Sequence, residues 1–276
     1  MDRNFKLIAF DLDGTLILPG DVLSRENAAA LKELYTRGVK LVPTTGRSLY
    51  EMPEAIREFP YFEYYITSGG ACTYDAKTLK MIDSRLIPPE RSKRLFEILF
   101  DYDTVTMTHF EGEGLVDADL VSEEYYNKCR VNELFKKFIP ARDRAISSFK
   151  EACMNMVGVE MTCSFIGSDE EMEKFKDRVR GIGGFSLASS ARDNVEVTDE
   201  SADKGKAILS LAESLGISHE QIMGVGDSRN DLALIRTAGL GLAMGNATDE
   251  LKREADAIGC NNSEHIADFI LKNYFN

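Results

Sequence analysis

The chain has 276 residues, 43% hydrophobic and 29% charged, a balance that excludes a disordered, collagenous or fibrous protein and suits one large domain or two of ordinary size. A chain this long buries enough apolar surface to fold without a metal or disulfide staple. Its 33 Lys and Arg against 46 Asp and Glu give a net charge of −13, which disfavours non-specific attraction to nucleic acid or anionic lipid but not a small anion in a local pocket.

Taken in order, Lys6-Leu7-Ile8-Ala9-Phe10 is a continuous apolar run of the kind buried on both faces in a parallel sheet. Ser24 opens a helical pattern with Ala28, Leu31, Leu34 and Tyr35 on one face and Gly38 beyond its end. Residues 39–42 read as a second buried strand, a helix broken or started by Pro53 follows, and residues 64–66 read as a third strand. That alternation is the pattern of a doubly wound, mainly parallel (Rossmann-like) α/β sheet.

From Thr73 to Ile87 the alternation is lost, and Pro88-Pro89 marks a break. Beyond it come a helix at 90–102, strand-like alternation at 105–110, a helix at 123–138 and a strand at 156–166. A helix with a capping box, Ser168 and Glu171, follows. The α/β pattern returns with a helix at 204–215, a strand at 221–225, a helix at 230–238, a strand at 240–244, a helix at 248–255 and a last helix from Ser263. The expected organisation is a core of residues 1–83 and 191–276 interrupted by an inserted α+β domain at 84–190.

Two acidic turns carry the candidate chemistry. Asp11-Leu12-Asp13-Gly14-Thr15 follows the first strand, at the end of the sheet where ligands bind in open α/β folds. With strand spacing Asp11 and Asp13 point to one side, and two such charges call for a cation beside them. Gly226-Asp227-Ser228-Arg229-Asn230-Asp231 again sets acids and an amide just past a buried strand. Oxygen ligands on short loops suit Mg2+. Surface acids capping a turn in the first case, and a helix N-cap in the second, are the plainer readings. Thr45-Gly46-Arg47 and Asp203-Lys204-Gly205 offer the hydroxyl, free amides and ammonium that phosphate oxygens require.

In chain order, Asp11-Leu12-Asp13-Gly14-Thr15, Thr45-Gly46-Arg47, Lys204-Gly205 and Gly226-Asp227-Ser228-Arg229-Asn230-Asp231 resemble the first to fourth motifs of the haloacid dehalogenase superfamily, in its Cof-type sugar-phosphatase-like branch. Ala243-Met244-Gly245-Asn246-Ala247, with Lys252 and Ala255, resembles that branch's C-terminal signature. The family places a mobile α/β cap between its second and third motifs, where the insert falls. Gly69-Gly70-Ala71 stands where the branch carries Asn-Gly-Ala, removing an amide that could contact substrate. Leu234 replaces a usual Met, and Glu264-His265-Ile266-Ala267 a usual Gly-Val-Ala segment.

The resemblance implies a Mg2+-dependent phosphatase of small phosphorylated metabolites. Asp11 would be the nucleophile that becomes an aspartyl phosphate, and Asp13 the general acid and base. Thr45, Gly46, Arg47, Lys204 and Asn246 would hold the substrate. Asp11, Asp227, Asn230, Asp231 and the Asp13 backbone carbonyl would form or support the metal site, and the cap would close to expel water and open for exchange. Sugar phosphates are the expected substrates, with pyridoxal phosphate or flavin mononucleotide, or a non-catalytic sugar-phosphate sensor, as alternatives.

A dehalogenase would share Asp11 but leave Asp13 and the metal loop without a task. Gly224-x-Gly226 is a poor dinucleotide fingerprint, because Arg229 occupies the place of its third glycine. Residues 111–124 carry six acids and no base, which would repel polyanions or simply form a solvated face. Five scattered cysteines without C-x-x-C, and His109, His219 and His265 without ligand spacing, argue against disulfide or zinc frameworks. With no signal-peptide pattern and no run of about 18 uncharged apolar residues, a soluble cytoplasmic protein is expected.

Overall fold

The computed structural model describes residues 4–190 and 193–275. They form two compact units, one of residues 4–46, 52–84 and 203–275, the other of 47–51 and 85–202. The expected junction at 190/191 abuts residues 191 and 192, which lie outside the described residues. The second unit runs on to Ala202 because the strand Asn194–Asp199 pairs antiparallel with Val159–Ile166.

The first unit is built on a five-stranded parallel sheet. Leu7–Phe10 lies between Lys40–Pro43 on one side and Ile222–Gly226 on the other, with Leu240–Ala243 and Ala257–Ile258 beyond. All four residues of Leu7–Phe10 are buried, as a continuous apolar run requires. Leu7 and Ala9 pack with Ile208 and Leu211 of the helix Lys204–Ser214, and with Leu234 of Leu232–Thr237. The helix Arg25–Thr36 begins at Ser24, whose hydroxyl accepts the Asn27 amide hydrogen. Buried Asn27 donates to Leu16 O and accepts from Ala267 N, tying the first loop to the last helix, Ile266–Tyr274.

The third strand, Tyr64–Thr67, departs from expectation. It touches the parallel sheet through one bridge, Thr44 to Ile66, and its ladder is antiparallel, with Cys72–Asp75 and then Met81–Ser84. The region that lost its alternation is therefore a hairpin.

The second unit has its own six-stranded sheet, antiparallel except for Glu113–Asp117 beside Arg144–Ile146. Leu95, Phe96, Phe175 and Val179, from Pro89–Leu99 and Asp169–Ile182, pack over Val195 and Val197. Val105, Met107, Met161, Cys163 and Phe165 face Tyr126 and Ile139 on the opposite side. The single helix expected at 123–138 is two, Glu123–Lys128 and Glu133–Arg142. Arg130 turns the chain at φ 60, and Asn132 caps the second helix by accepting from the amides of Leu134 and Phe135. Among the described residues no helix is long and apolar enough to cross a membrane.

Candidate active site

The strand order dictates where the site lies. From the central strand Leu7–Phe10 the chain first builds outward through Lys40–Pro43, and later returns to the other side through Ile222–Gly226. The loops leaving Leu7–Phe10 and Ile222–Gly226 therefore diverge, which opens a crevice at the carboxyl ends of the strands. Asp11 leaves the first strand and Asp227 the second, so the fold brings together two acids far apart in sequence.

One carboxylate oxygen from each of Asp11, Asp227 and Asp231 lies within 4.8 Å of the others. Lys204, 1% exposed, reaches into the group from the first turn of its helix. Its Nζ is 2.6 Å from Asp11 Oδ1 and 2.6 Å from Asp231 Oδ1. Asp231 uses its other oxygen to accept the amide hydrogens of Asp227, at 3.0 Å, and Ser228, at 3.1 Å. Both Asp231 oxygens are thus engaged, and its position shapes the turn that presents Asp227. Thr15, quoted in the first motif but given no task by sequence reasoning, donates to Asp227 Oδ1 at 3.4 Å.

The charges do not balance: three carboxylates share one ammonium. Burial alone would pull the Lys204 ammonium down, but Asp11 and Asp231 outweigh it and hold it above its usual value. Burial, then the charge of Asp231, push Asp11 well up, with Lys204 opposing. Burial and Asp231 likewise push Asp227 up to about 7. A site that keeps acids short of positive charge is suited to a cation. The donors are hard carboxylate oxygens, which match Mg2+. Gly14 also fits this site: at φ 77 it brings its backbone so close that a Cβ would lie 2.5 Å from Asp227 Oδ2.

The remaining expected residues fall into three places. Asp13 is exposed, two residues beyond Asp11, where a bridge to Ile17 begins to close the loop. Asn246 donates to Gly14 O at 2.9 Å and accepts from Asn262 N, so its amide fixes the first acidic loop. Asn230 accepts from the Ser228 hydroxyl at 2.6 Å, and its Nδ2 would lie 3.8 Å from a Cβ built on Gly46. Thr45 is 1% exposed and pinned on both sides, its amide donating to Ile66 O and its carbonyl accepting from Gly69. Gly69 takes φ 67, a left-handed conformation that asparagine also adopts readily. Its replacement of the usual Asn keeps the turn and removes only the amide. Arg47 belongs to the second unit, where Nη1 donates to Glu51 O at 3.3 Å.

A family model for haloacid dehalogenase-like hydrolases matches residues 8–270. Phosphatase YwpJ of Bacillus subtilis is 30% identical, over 97% of this chain and 99% of its own. The 5-amino-6-(5-phospho-D-ribitylamino)uracil phosphatase YcsE of the same organism is 28% identical, over 95% of this chain and 93% of its own. Among solved structures, a haloacid dehalogenase-like hydrolase from B. subtilis superposes with a TM-score of 0.82 at 27% identity, covering 98% of this chain and 99% of the other.

Proposed function

The chain belongs to the haloacid dehalogenase-like hydrolases and is a phosphoric monoester hydrolase, and we propose that it cleaves small phosphorylated metabolites, sugar phosphates first among them, with Mg2+ and Asp11 as nucleophile. The observation that carries this reading is the group of buried Asp11, Lys204 and Asp231 with half-buried Asp227 at the strand-order switch point. Binding alone has no need of repelling acids beside an anion, whereas phosphoryl transfer does.

An Asp11 oxygen attacks phosphorus, the bond to the ester oxygen breaks, and the departing oxygen takes a proton from Asp13. Asp13, now a carboxylate, takes a proton from the water that attacks the aspartyl phosphate, and cleavage of that bond restores Asp11. Lys204 holds Asp11 Oδ1 in place and supplies positive charge as the two anions meet. Thr45 and Gly46 sit at the end of Lys40–Pro43, beside the Asp11 loop, where they would donate to phosphate oxygens; Arg47 and Asn246 complete the proposed substrate contacts. Asp11 and Asp227 would hold Mg2+, with the Asp13 carbonyl, Asn230 and Asp231 in support; the ion would offset phosphate charge.

The preference for sugar phosphates draws on the branch whose motifs the chain shares, and on a relative whose named substrate carries a phosphorylated ribityl chain. A panel of sugar phosphates, pyridoxal phosphate and flavin mononucleotide, assayed for phosphate release with and without Mg2+, tests it. Metal-dependent release from sugar phosphates is expected. Binding of a sugar phosphate without release from any ester would make the protein a sensor, and release only from pyridoxal phosphate or flavin mononucleotide would reassign the substrate.

A further inference from the structure

Residues 47–51 form a turn directly after Gly46 that is fastened to the second unit's own sheet. Tyr50 N donates to Gly112 O at 2.9 Å, and Gly112 N donates in turn to Glu160 Oε1 at 2.8 Å. Leu49 and Ser48 are buried. Glu51 closes the turn on itself: its carboxylate accepts the Ser48 amide hydrogen at 2.5 Å, and its carbonyl accepts from Arg47 Nη1.

The Glu51 side chain is 11% exposed, and its surroundings are crowded with ionisable groups. His109 Nε2, from the strand Thr104–Phe110, is 3.2 Å from Glu51 Oε2. Arg142 ends the helix Glu133–Arg142, and Asp143, the residue after it, lies beside Glu51 with a buried Oδ1 that no hydrogen-bond donor among the described residues reaches. Tyr126 from Glu123–Lys128 feels the charge of Asp143, and Cys163 from Val159–Ile166 that of Asp143, Glu51 and Glu196. Gly114 leaves room for the pair: a Cβ there would clash with Asp143 Oδ1 and stand 3.1 Å from Glu51 Oε1.

Two carboxyls can share a hydrogen bond only if one is protonated. We propose that Glu51 is a positioning residue for Arg47, locked by a proton that Asp143 donates to it, so that the turn carrying Arg47 is held while the proton is present and released when it is lost. The inference rests on the reading above that Arg47 contacts substrate. The assignment of the proton follows from the environments. Burial would raise Glu51, but His109, the Ser48 amide and Arg142 overcome it and hold Glu51 below its usual value, whereas burial and the charge of Glu51 push Asp143 up to about 9. Asp143 is therefore the donor at neutral pH, and alkali removes the proton from it.

Asp143→Asn tests the lock, because an amide donates to Glu51 at every pH and cannot ionise. KM and kcat for the best ester would be followed from pH 6 to 10 in the wild type, Asp143→Asn and Glu51→Gln. Exchange protection of the Ser48 and Tyr50 amides would be measured in parallel. The wild type should lose affinity above about pH 9, with KM rising about tenfold and kcat changing less than about twofold. Protection at Ser48 should fall over the same range. Asp143→Asn should match the wild type at pH 7 and show neither change, and Glu51→Gln should show the high KM and weak protection throughout. An alkaline limb that persists unchanged in Asp143→Asn, or Ser48 protection indifferent to pH and to both substitutions, overturns the proposal. Failure of every ester to turn over would defeat the phosphatase reading separately, and amide exchange would still decide the lock.

Discussion

At the carboxyl end of the parallel sheet, Asp11, Asp227 and Asp231 bring carboxylate oxygens within 4.8 Å, and Asp11 and Asp231 share the ammonium of Lys204. In the antiparallel unit, Glu51 and Asp143 lean over Gly114 and share a proton. The first group keeps its repulsion in check with a fixed cation and remains short of positive charge, which a divalent ion and a phosphate ester can use. The second, on the proposal above, is compensated from within by a shared proton. On the proposed readings, acids serve reaction in one unit and positioning in the other, and what separates them is the source of the compensating charge.

The sharpest way to break the comparison is to remove that charge. Lys204→Met leaves buried carboxylates without their partner; about 3–5 kcal/mol of stability should go, read from urea unfolding. Phosphate release should fall on the order of 10³-fold in whatever folded protein remains. Gly14→Ala should cost about 1–3 kcal/mol, since φ 77 and the Asp227 carboxylate both oppose a methyl group. It should also raise the Mg2+ concentration needed for half-maximal activity by about tenfold or more.

In the other unit the prediction concerns pH. Native Asp143 keeps its proton up to about 9, whereas in the unfolded chain an aspartate releases it near about 3.9. Between those values the native state binds the extra proton, so stability falls as pH rises, and the loss is complete above the native value. Asp143→Asn should remove this component, so its urea midpoint should decline less than that of the wild type between pH 5 and pH 8. The smallest effect belongs to exposed pairs. Lys174 lies 2.6 Å from Glu170, with side chains 62% and 78% exposed, and Lys174→Ala should leave the urea midpoint unchanged.

The sequence made the parallel core legible because its signals are local. Apolar runs such as Leu7–Phe10 end in acidic turns, and Ser24, Ser168 and Asp203 cap helices where expected. The hairpin of Cys72–Asp75 and Met81–Ser84 was hidden by its mixed composition; its second strand is mostly exposed and carries no alternation. Asn132 before Glu133 is a start signal that could have divided the helix expected at 123–138. The roles of Thr15 and Asp231 were less accessible, because each depends on which oxygen meets which distant donor. Glu51 and Asp143 gave no sequence signal, since each is an ordinary acid until the fold buries them together.

The central claim is that Asp11 carries the phosphoryl group. Enzyme mixed with its preferred ester and Mg2+, then quenched with borohydride, would have any aspartyl phosphate reduced to homoserine, which peptide mass spectrometry locates. Homoserine at position 11, dependent on ester and absent from Asp11→Asn, is the predicted result. Turnover with the modification at another carboxylate, or with full activity in Asp11→Asn, would contradict it.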